Sequence, residues 1–167
     1  MLRLWNTLHR ALEEFQPIRP HEVGFYACGP TVYNPLTLGN WRKYLVDDTI
    51  RRVFQYLGYE ITHVTNITDV GHLVGDASEG EDKVEREAAK TGKTAWDIAR
   101  FYEASFLDGL KQFNILLPMV LPRATDHIGE QISLIQELER KGFTYRITDG
   151  IYFDTSKFFA YGALSGQ

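Results

Sequence analysis

The stretch VGFYACGPTVYNPLTLGNWRKYLVDDTIRRVFQYLGYEITHVTNI, residues 23–67, decides the fold. It opens on a short apolar run, Val23-Gly24-Phe25-Tyr26-Ala27, halted by Cys28-Gly29-Pro30, the pattern of a buried strand that empties into a loop. From Arg42 to Leu57 the apolar residues Leu45, Val46, Ile50, Val53, Phe54 and Leu57 recur at helical spacing, and Gly58 stops them. Asp47, Asp48, Arg51 and Arg52 fall opposite, which predicts a helix with its apolar row on a sheet and its charges in water. Glu60 to Ile67, rich in β-branched residues, predicts a second strand broken by Thr68-Asp69-Val70-Gly71. Strand, loop, helix, strand is a βαβ unit, so the fold class is α/β with a parallel sheet.

Working outward, Gly71 to Lys90 is rich in glycine and acid, with a solvated helix expected over Glu81 to Lys90 and mobility near Gly75 to Gly80. Thr94-Ala95-Trp96-Asp97 has the spacing of a capping box, and Ile98, Ala99, Tyr102, Phe106, Leu110 and Phe113 mark one face of the helix it opens. Ile115 to Leu121 is a third apolar segment. A further helix is expected from about Asp126, capped by Thr125, carrying Ile128, Ile132, Ile135 and Leu138 on one face and ending at Gly142. Phe143 to Asp154, turning on Asp149-Gly150, is the strongest hairpin signal in the chain and suggests an antiparallel appendage. The sequence closes on Gly162-Ala163-Leu164-Ser165-Gly166-Gln167 with no terminal element, which reads as a cut.

The chain has 167 residues, is 44% hydrophobic and carries a formal charge of -4, so it can bury a core as one domain and offers no overall basic field. RNA contact would have to be local. One cysteine excludes an internal disulfide framework, and Met1-Leu2-Arg3-Leu4-Trp5 is not a secretory leader, so the expectation is a cytoplasmic protein. No apolar run approaches the roughly 20 residues that cross a bilayer, so no membrane partner is expected.

Chemistry points to CGPTVYNPLTLGN, residues 28–40, a glycine- and proline-punctuated loop from a strand end to a helix start. Unpaired amides and partial positive charge at a helix N-terminus suit phosphate oxygens. Gly39 permits close approach of a ligand to the backbone, and Thr37 and Asn40 can donate hydrogen bonds to phosphate or ribose. The same spacing equally fits a plain βα loop in which Asn40 is an ordinary helix cap. Likewise Cys28 by itself reads as a small buried apolar residue, Thr68 and Asp69 as strand-end turn residues, and His127 as a surface histidine. His72, Asp76, Glu79, Glu81 and Asp82 fit no metal-ligand spacing and read as a solvated loop. Lys157 to Tyr161 interleaves aromatics with one base, a pattern that packing or RNA contact would each explain.

The loop resembles the first signature of class I aminoacyl-tRNA synthetases, a His-x-Gly-His loop that binds ATP. The likeness to the cysteinyl-tRNA synthetase family extends through Asn6-Thr7-Leu8, Tyr26 to Tyr33, Asn66-Ile67-Thr68-Asp69, Pro122-Arg123-Ala124-Thr125 and Tyr161 to Ser165, in order and over essentially the whole chain. That resemblance implies a Rossmann-like (HUP-type) parallel sheet with flanking helices over residues 1–142, and the start of an inserted connective segment over 143–167. It implies ATP-dependent activation of cysteine and its transfer to tRNA(Cys), with ATP and Mg as cofactors and a monomer as the working state. By the same resemblance Thr31, Thr37, Gly39 and Asn40 contact ATP, with Thr37 and Asn40 catalytic; Cys28, Gly29 and Thr68 border the substrate; and Cys28 is one ligand of a zinc ion that selects thiol over hydroxyl. The sequence departs from the family where Thr37 and Asn40 replace the two signature histidines, and it contains no lysine-rich second signature. A small nucleotidyltransferase of the same fold, a non-catalytic paralogue that binds nucleotide, cysteine or RNA, and a ligase joining cysteine to an amino sugar share features with this pattern.

Overall fold

Two parallel strands carry the βαβ unit expected from residues 23–67, in a computed structural model that describes residues 2–71 and 94–165. The helix expected over Glu81 to Lys90, the mobile stretch before it and the acidic cluster around His72 lie outside the described residues. The chain divides into two compact units, Pro17–His127 on one hand and Met1–Gln16 with Ile128–Gln167 on the other.

In the first unit the strand Glu22–Ala27 pairs in parallel with Glu60–Thr65, in a register running from Glu22 opposite Glu60 to Ala27 opposite Thr65. The helix Leu38–Tyr56 connects them and packs on both. Ahead of these strands the second unit has a hairpin of Arg3–Asn6 and Ala11–Glu14, so in chain order the hairpin is β1 and β2, the parallel pair β3 and β4, and the connecting helix α1. The apolar segment after residue 115 forms no regular strand, yet it lies along the far side of β4 in parallel, with bridges Val64 to Val120 and Ile67 to Arg123. Pro118 and Pro122 lack the N–H groups that a continuous ladder would need.

Helix α2, Ala95–Gln112, begins at the capping box read from Thr94 and Asp97, whose side chains each serve the other's backbone. Its buried residues Ile98, Ala99, Phe106 and Leu110 join Val32, Tyr44, Ile67 and Ile115 in the core. At Gly109 the helix backbone meets the Trp41 ring so closely that a Cβ would fall 2.2 Å from Cη2, which makes this glycine a packing requirement.

The buried face of α1 matches the expected one only in part, with Phe54 buried and Ile50 half-buried. Leu45, Val46, Val53 and Leu57 are exposed, and the buried row is Tyr44, Asp48, Arg51 and Phe54. The cause lies in the stretch Asn114 to Leu117, which follows α2 ahead of the bridges to β4 and whose backbone is met by α1 side chains. Asp48 Oδ1 accepts from the Leu116 N–H at 2.9 Å, and Arg51 Nη1 donates to the Leu117 carbonyl at 2.7 Å. Arg52 bonds both Asp48, at 2.6 Å, and the Asn114 carbonyl, at 2.7 Å. Buried backbone groups must find partners, and here α1's charges supply them.

The second unit holds α3, Ile128–Arg140, and the hairpin of β5, Thr144–Ile147, with β6, Gly150–Phe153. Thr125 does not cap α3. It sits in the 3-10 turn Ala124–His127 and donates both its N–H and its hydroxyl to the buried Asp69 carboxylate, at 3.1 and 2.5 Å. The β5–β6 turn falls on Thr148-Asp149, one residue earlier than Asp149-Gly150, because Gly150 pairs with Ile147 and this register stacks Tyr145 on Tyr152 at 5.7 Å. Within Lys157 to Tyr161, Phe158 and Tyr161 pack against Phe153, and Phe159 is fully exposed.

Candidate functional site

In parallel α/β sheets ligands are received beyond the carboxyl ends of the strands. Cys28, Gly29, Thr31 and Thr68 all stand there. Past β3 and β4 the two chains stay joined by a bridge between Thr31 and Thr68, in which Val32 N–H donates to the Thr68 carbonyl at 3.1 Å and Thr68 N–H to the Pro30 carbonyl at 2.9 Å. Cys28 directly follows β3 with an exposed side chain, so it is not the buried apolar residue that a lone cysteine usually is. Gly29 is required by the fold, since a Cβ there would lie 1.5 Å from the Asn66 carbonyl oxygen.

Asn66, not singled out from the sequence, is the organiser of this end. Its Oδ1 accepts from the Gly29 N–H and from the Tyr26 hydroxyl, each at 2.9 Å, and its amide donates to Thr68 Oγ1 at 3.0 Å.

Thr37 and Asn40 stand together at the start of α1, engaged with each other. Thr37 is the N-cap. Its hydroxyl donates to Asn40 Oδ1 at 2.8 Å and accepts from the Asn40 N–H at 3.4 Å, and the Thr37 N–H donates to Asn40 Oδ1 at 2.9 Å. The capping role expected of Asn40 therefore belongs to Thr37, with Asn40 answering it from the third helical position. Gly39, between them, has only Thr37 Oγ1 within reach of a would-be Cβ, at 3.6 Å, so its open side faces solvent. Beside the loop, Pro30, Asn34, Trp41 and Tyr102 line a cavity of about 100 Å³. That is well short of the few hundred Å³ of a small-molecule pocket, and the loop's open surface lies beside it. A larger cavity of about 590 Å³ at Arg19, Glu22 and Glu60 sits at the opposite, amino ends of β3 and β4, away from this chemistry.

Under the site the charges are dense. Lys43 donates to the Cys28 carbonyl, lies 2.6 Å from Asp47 Oδ2 and stands 4.6 Å from the Tyr44 ring centroid. Burial pushes the Tyr44 phenol far up, with the negative charges of Cys28 and Asp47 adding to it. His63 on β4 is 4% exposed, stacks on Phe25 at 4.8 Å and bonds Thr65 Oγ1 at 3.1 Å. Burial depresses its pKa, and Arg51 depresses it further. The one signal of this group in the sequence is the i, i+4 pairing of Lys43 with Asp47.

Zinc is not matched by the donors described. Cys28 is the chain's single cysteine, and among the described residues no group of three or more His, Cys, Asp or Glu could hold a metal ion. A zinc site needs three or four ligands. His127 and Thr125 lie in the turn after Arg123, which pairs with Glu103 at 2.6 Å, so this charge is already answered.

The chain's fold resembles a leucyl-tRNA synthetase from Agrobacterium radiobacter K84, solved as a ternary complex with tRNA and LeuAMS, at a TM-score of 0.62 and 22% identity over 80% of this chain and 17% of that one. It also resembles a putative arginyl-tRNA synthetase from Campylobacter jejuni, at a TM-score of 0.52 and 14% identity over 80% of this chain and 38% of that one. These likenesses are of fold. Residues 14–167 match the family described as tRNA synthetases class I (C) catalytic domain, and the chain belongs to that family. It is 50% identical over 164 residues to cysteine–tRNA ligase 1 of Burkholderia lata, 48% over 163 to cysteine–tRNA ligase of Zymomonas mobilis and 44% over 164 to that of Treponema denticola. Each match covers 98% of this chain and 35%, 32% and 33% of those proteins, so the chain spans about a third of their length. Among the described residues no helix is long and apolar enough to cross a membrane.

Proposed function

We propose that this chain is the amino-terminal part of a cysteine–tRNA ligase catalytic domain and takes part in ATP-dependent activation of cysteine for transfer to tRNA(Cys). The observation that carries the reading is the match to cysteine–tRNA ligases over 98% of the chain, combined with the gathering of Cys28, Gly29, Thr31 and Thr68 at the strand ends. In the reaction the cysteine carboxylate attacks the α-phosphorus of ATP and pyrophosphate leaves; a ribose hydroxyl of the tRNA then attacks the cysteinyl carbonyl of the adenylate, the acyl–phosphate bond breaks and AMP leaves. The protein's part is positioning and charge stabilisation.

In this scheme the open side of Gly39 admits the ATP phosphates, carried with Mg, to the first turn of α1, while the Thr37 and Asn40 pair keeps that turn formed. Asn40 Oδ1 and Thr37 Oγ1 are held by each other, so the groups left to face the nucleotide are the Asn40 amide and the free backbone N–H groups of the turn. Thr31 lines the loop toward ATP, Thr68 borders the amino acid with Gly29, and Cys28 offers its thiol beside it. Zinc would supply preference for a thiolate over a hydroxyl. Cys28 is the residue at this strand end that would ligate it.

Calorimetric titration of the chain with ATP, with a cysteinyl sulfamoyl adenosine and with its seryl counterpart tests the reading. Binding of ATP and of the cysteinyl compound is expected; binding of neither would leave a protein-interaction module. The closed Thr37–Asn40 pair favours, as a second reading, a nucleotide-binding relative without catalysis. The purified 167-residue chain is expected to give no cysteine-dependent ATP–pyrophosphate exchange by itself on either reading, so the two are separated by selective binding of the cysteinyl over the seryl compound, which only the first reading expects.

A further inference from the structure

The Cys28–Gly29 peptide group is gripped at both polar ends by side chains from different elements. Its carbonyl accepts from Lys43 Nζ on α1, and its N–H donates at 2.9 Å to Asn66 Oδ1, just beyond β4. Neither grip is loose. Lys43 is itself held by Asp47 at 2.6 Å and by the ring face of Tyr44, a residue 7% exposed. Asn66 is tied to Tyr26 and to Thr68. On the far side of the peptide no room remains for even one carbon atom at Gly29.

A strand's last carbonyl at a wet surface can be served by water. Here a lysine with its own carboxylate does so instead, at a point where the next side chain is the Cys28 thiol. We propose that Lys43 is a positioning residue for the amino-acid end of the site: it fixes the plane of the Cys28–Gly29 peptide and so the direction in which the Cys28 thiol leaves the strand. Asp47 acts through Lys43. The inference rests on the reading of Cys28 and Gly29 as neighbours of the bound amino acid, and it adds a residue that the signature loop does not contain.

The variants Lys43→Met, which keeps the stem and loses the donor, Lys43→Arg, which keeps donor and charge, and Asp47→Asn are compared with the parent chain, each shown folded by circular dichroism at the working temperature. Two quantities are read: the Cys28 χ1 rotamer population from three-bond couplings in labelled protein, and the Kd for cysteinyl sulfamoyl adenosine. Lys43→Met is expected to average χ1 and to weaken the analogue about tenfold to a hundredfold, the loss that follows deletion of one charge-assisted hydrogen bond. Lys43→Arg is expected to restore both, with Asp47→Asn between. A χ1 population unchanged in Lys43→Met, or one as averaged in Lys43→Arg as in Lys43→Met, overturns the proposal. If the parent chain fails to bind the analogue, the reading of the site falls, while the χ1 comparison still decides whether Lys43 positions the thiol.

Discussion

The two compact units differ in what they bury. Every residue of the hydrophobic core lies in Pro17–His127, whereas α3 in the other unit has no buried residue, and Ile128, Ile132, Leu134 and Ile135 along it are exposed. Both were read from the same apolar periodicity. The lesson is that periodicity reports a face that wants covering, and burial follows only where a second layer is present. The βαβ unit has α1 over its sheet and α2 in its core; the hairpins of the other unit are held by cross-strand pairs such as Tyr145 on Tyr152.

Substitutions can break that contrast. Phe106→Ala, in the centre of the first core at 2% exposure, is expected to cost about 3–5 kcal/mol in denaturant unfolding. Gly29→Ala must displace the Asn66 carbonyl, which is backbone and cannot swing aside, so a loss of at least about 1–3 kcal/mol is expected, together with a changed Cys28 environment by NMR. His63 gives a pH test. Its folded pKa lies below its usual 6.5, so the unfolded chain takes up the proton first. Stability is then full above pH 6.5 and falls as pH drops from there toward the folded value. Arg51, Asp47, Lys43 and Asp48 all act on this ring, and His63→Gln is expected to flatten the decline in thermal melts across that window. The smallest effect is expected from Leu134→Ala, within about 0.5 kcal/mol, since this side chain on α3 is already 61% exposed. A loss there as large as that at Phe106 would erase the contrast between the units.

Much of the first unit was legible. The strand at Val23, the strand at Glu60 and the capping box at Thr94 follow from local pattern, because each depends on residues within one element. The faces of α1 were not legible, since what buries Asp48 and Arg51 is the backbone of residues 116 and 117, more than sixty positions away. The hairpin of β1 and β2 has four-residue strands and turns through Arg10 at φ 52, without the glycine that announces such turns. At the site, Cys28, Gly29, Thr31 and Thr68 were named through family likeness and stand together at the strand ends. Lys43 was not named, and Asn66 entered only within the Asn66-Ile67-Thr68-Asp69 likeness with no role of its own, because their importance lies in which peptide group they hold.

The seat of Trp41 on Gly109 has an optical consequence. Of the three tryptophans, Trp5 and Trp96 are 61% and 57% exposed, while Trp41 is packed against Phe106 and Phe113 four positions beyond Thr37. Its emission should be the blue component of the spectrum, resistant to aqueous quenchers. Anything that settles on the first turn of α1 would alter that component first, so the chain carries a built-in fluorophore for its own loop.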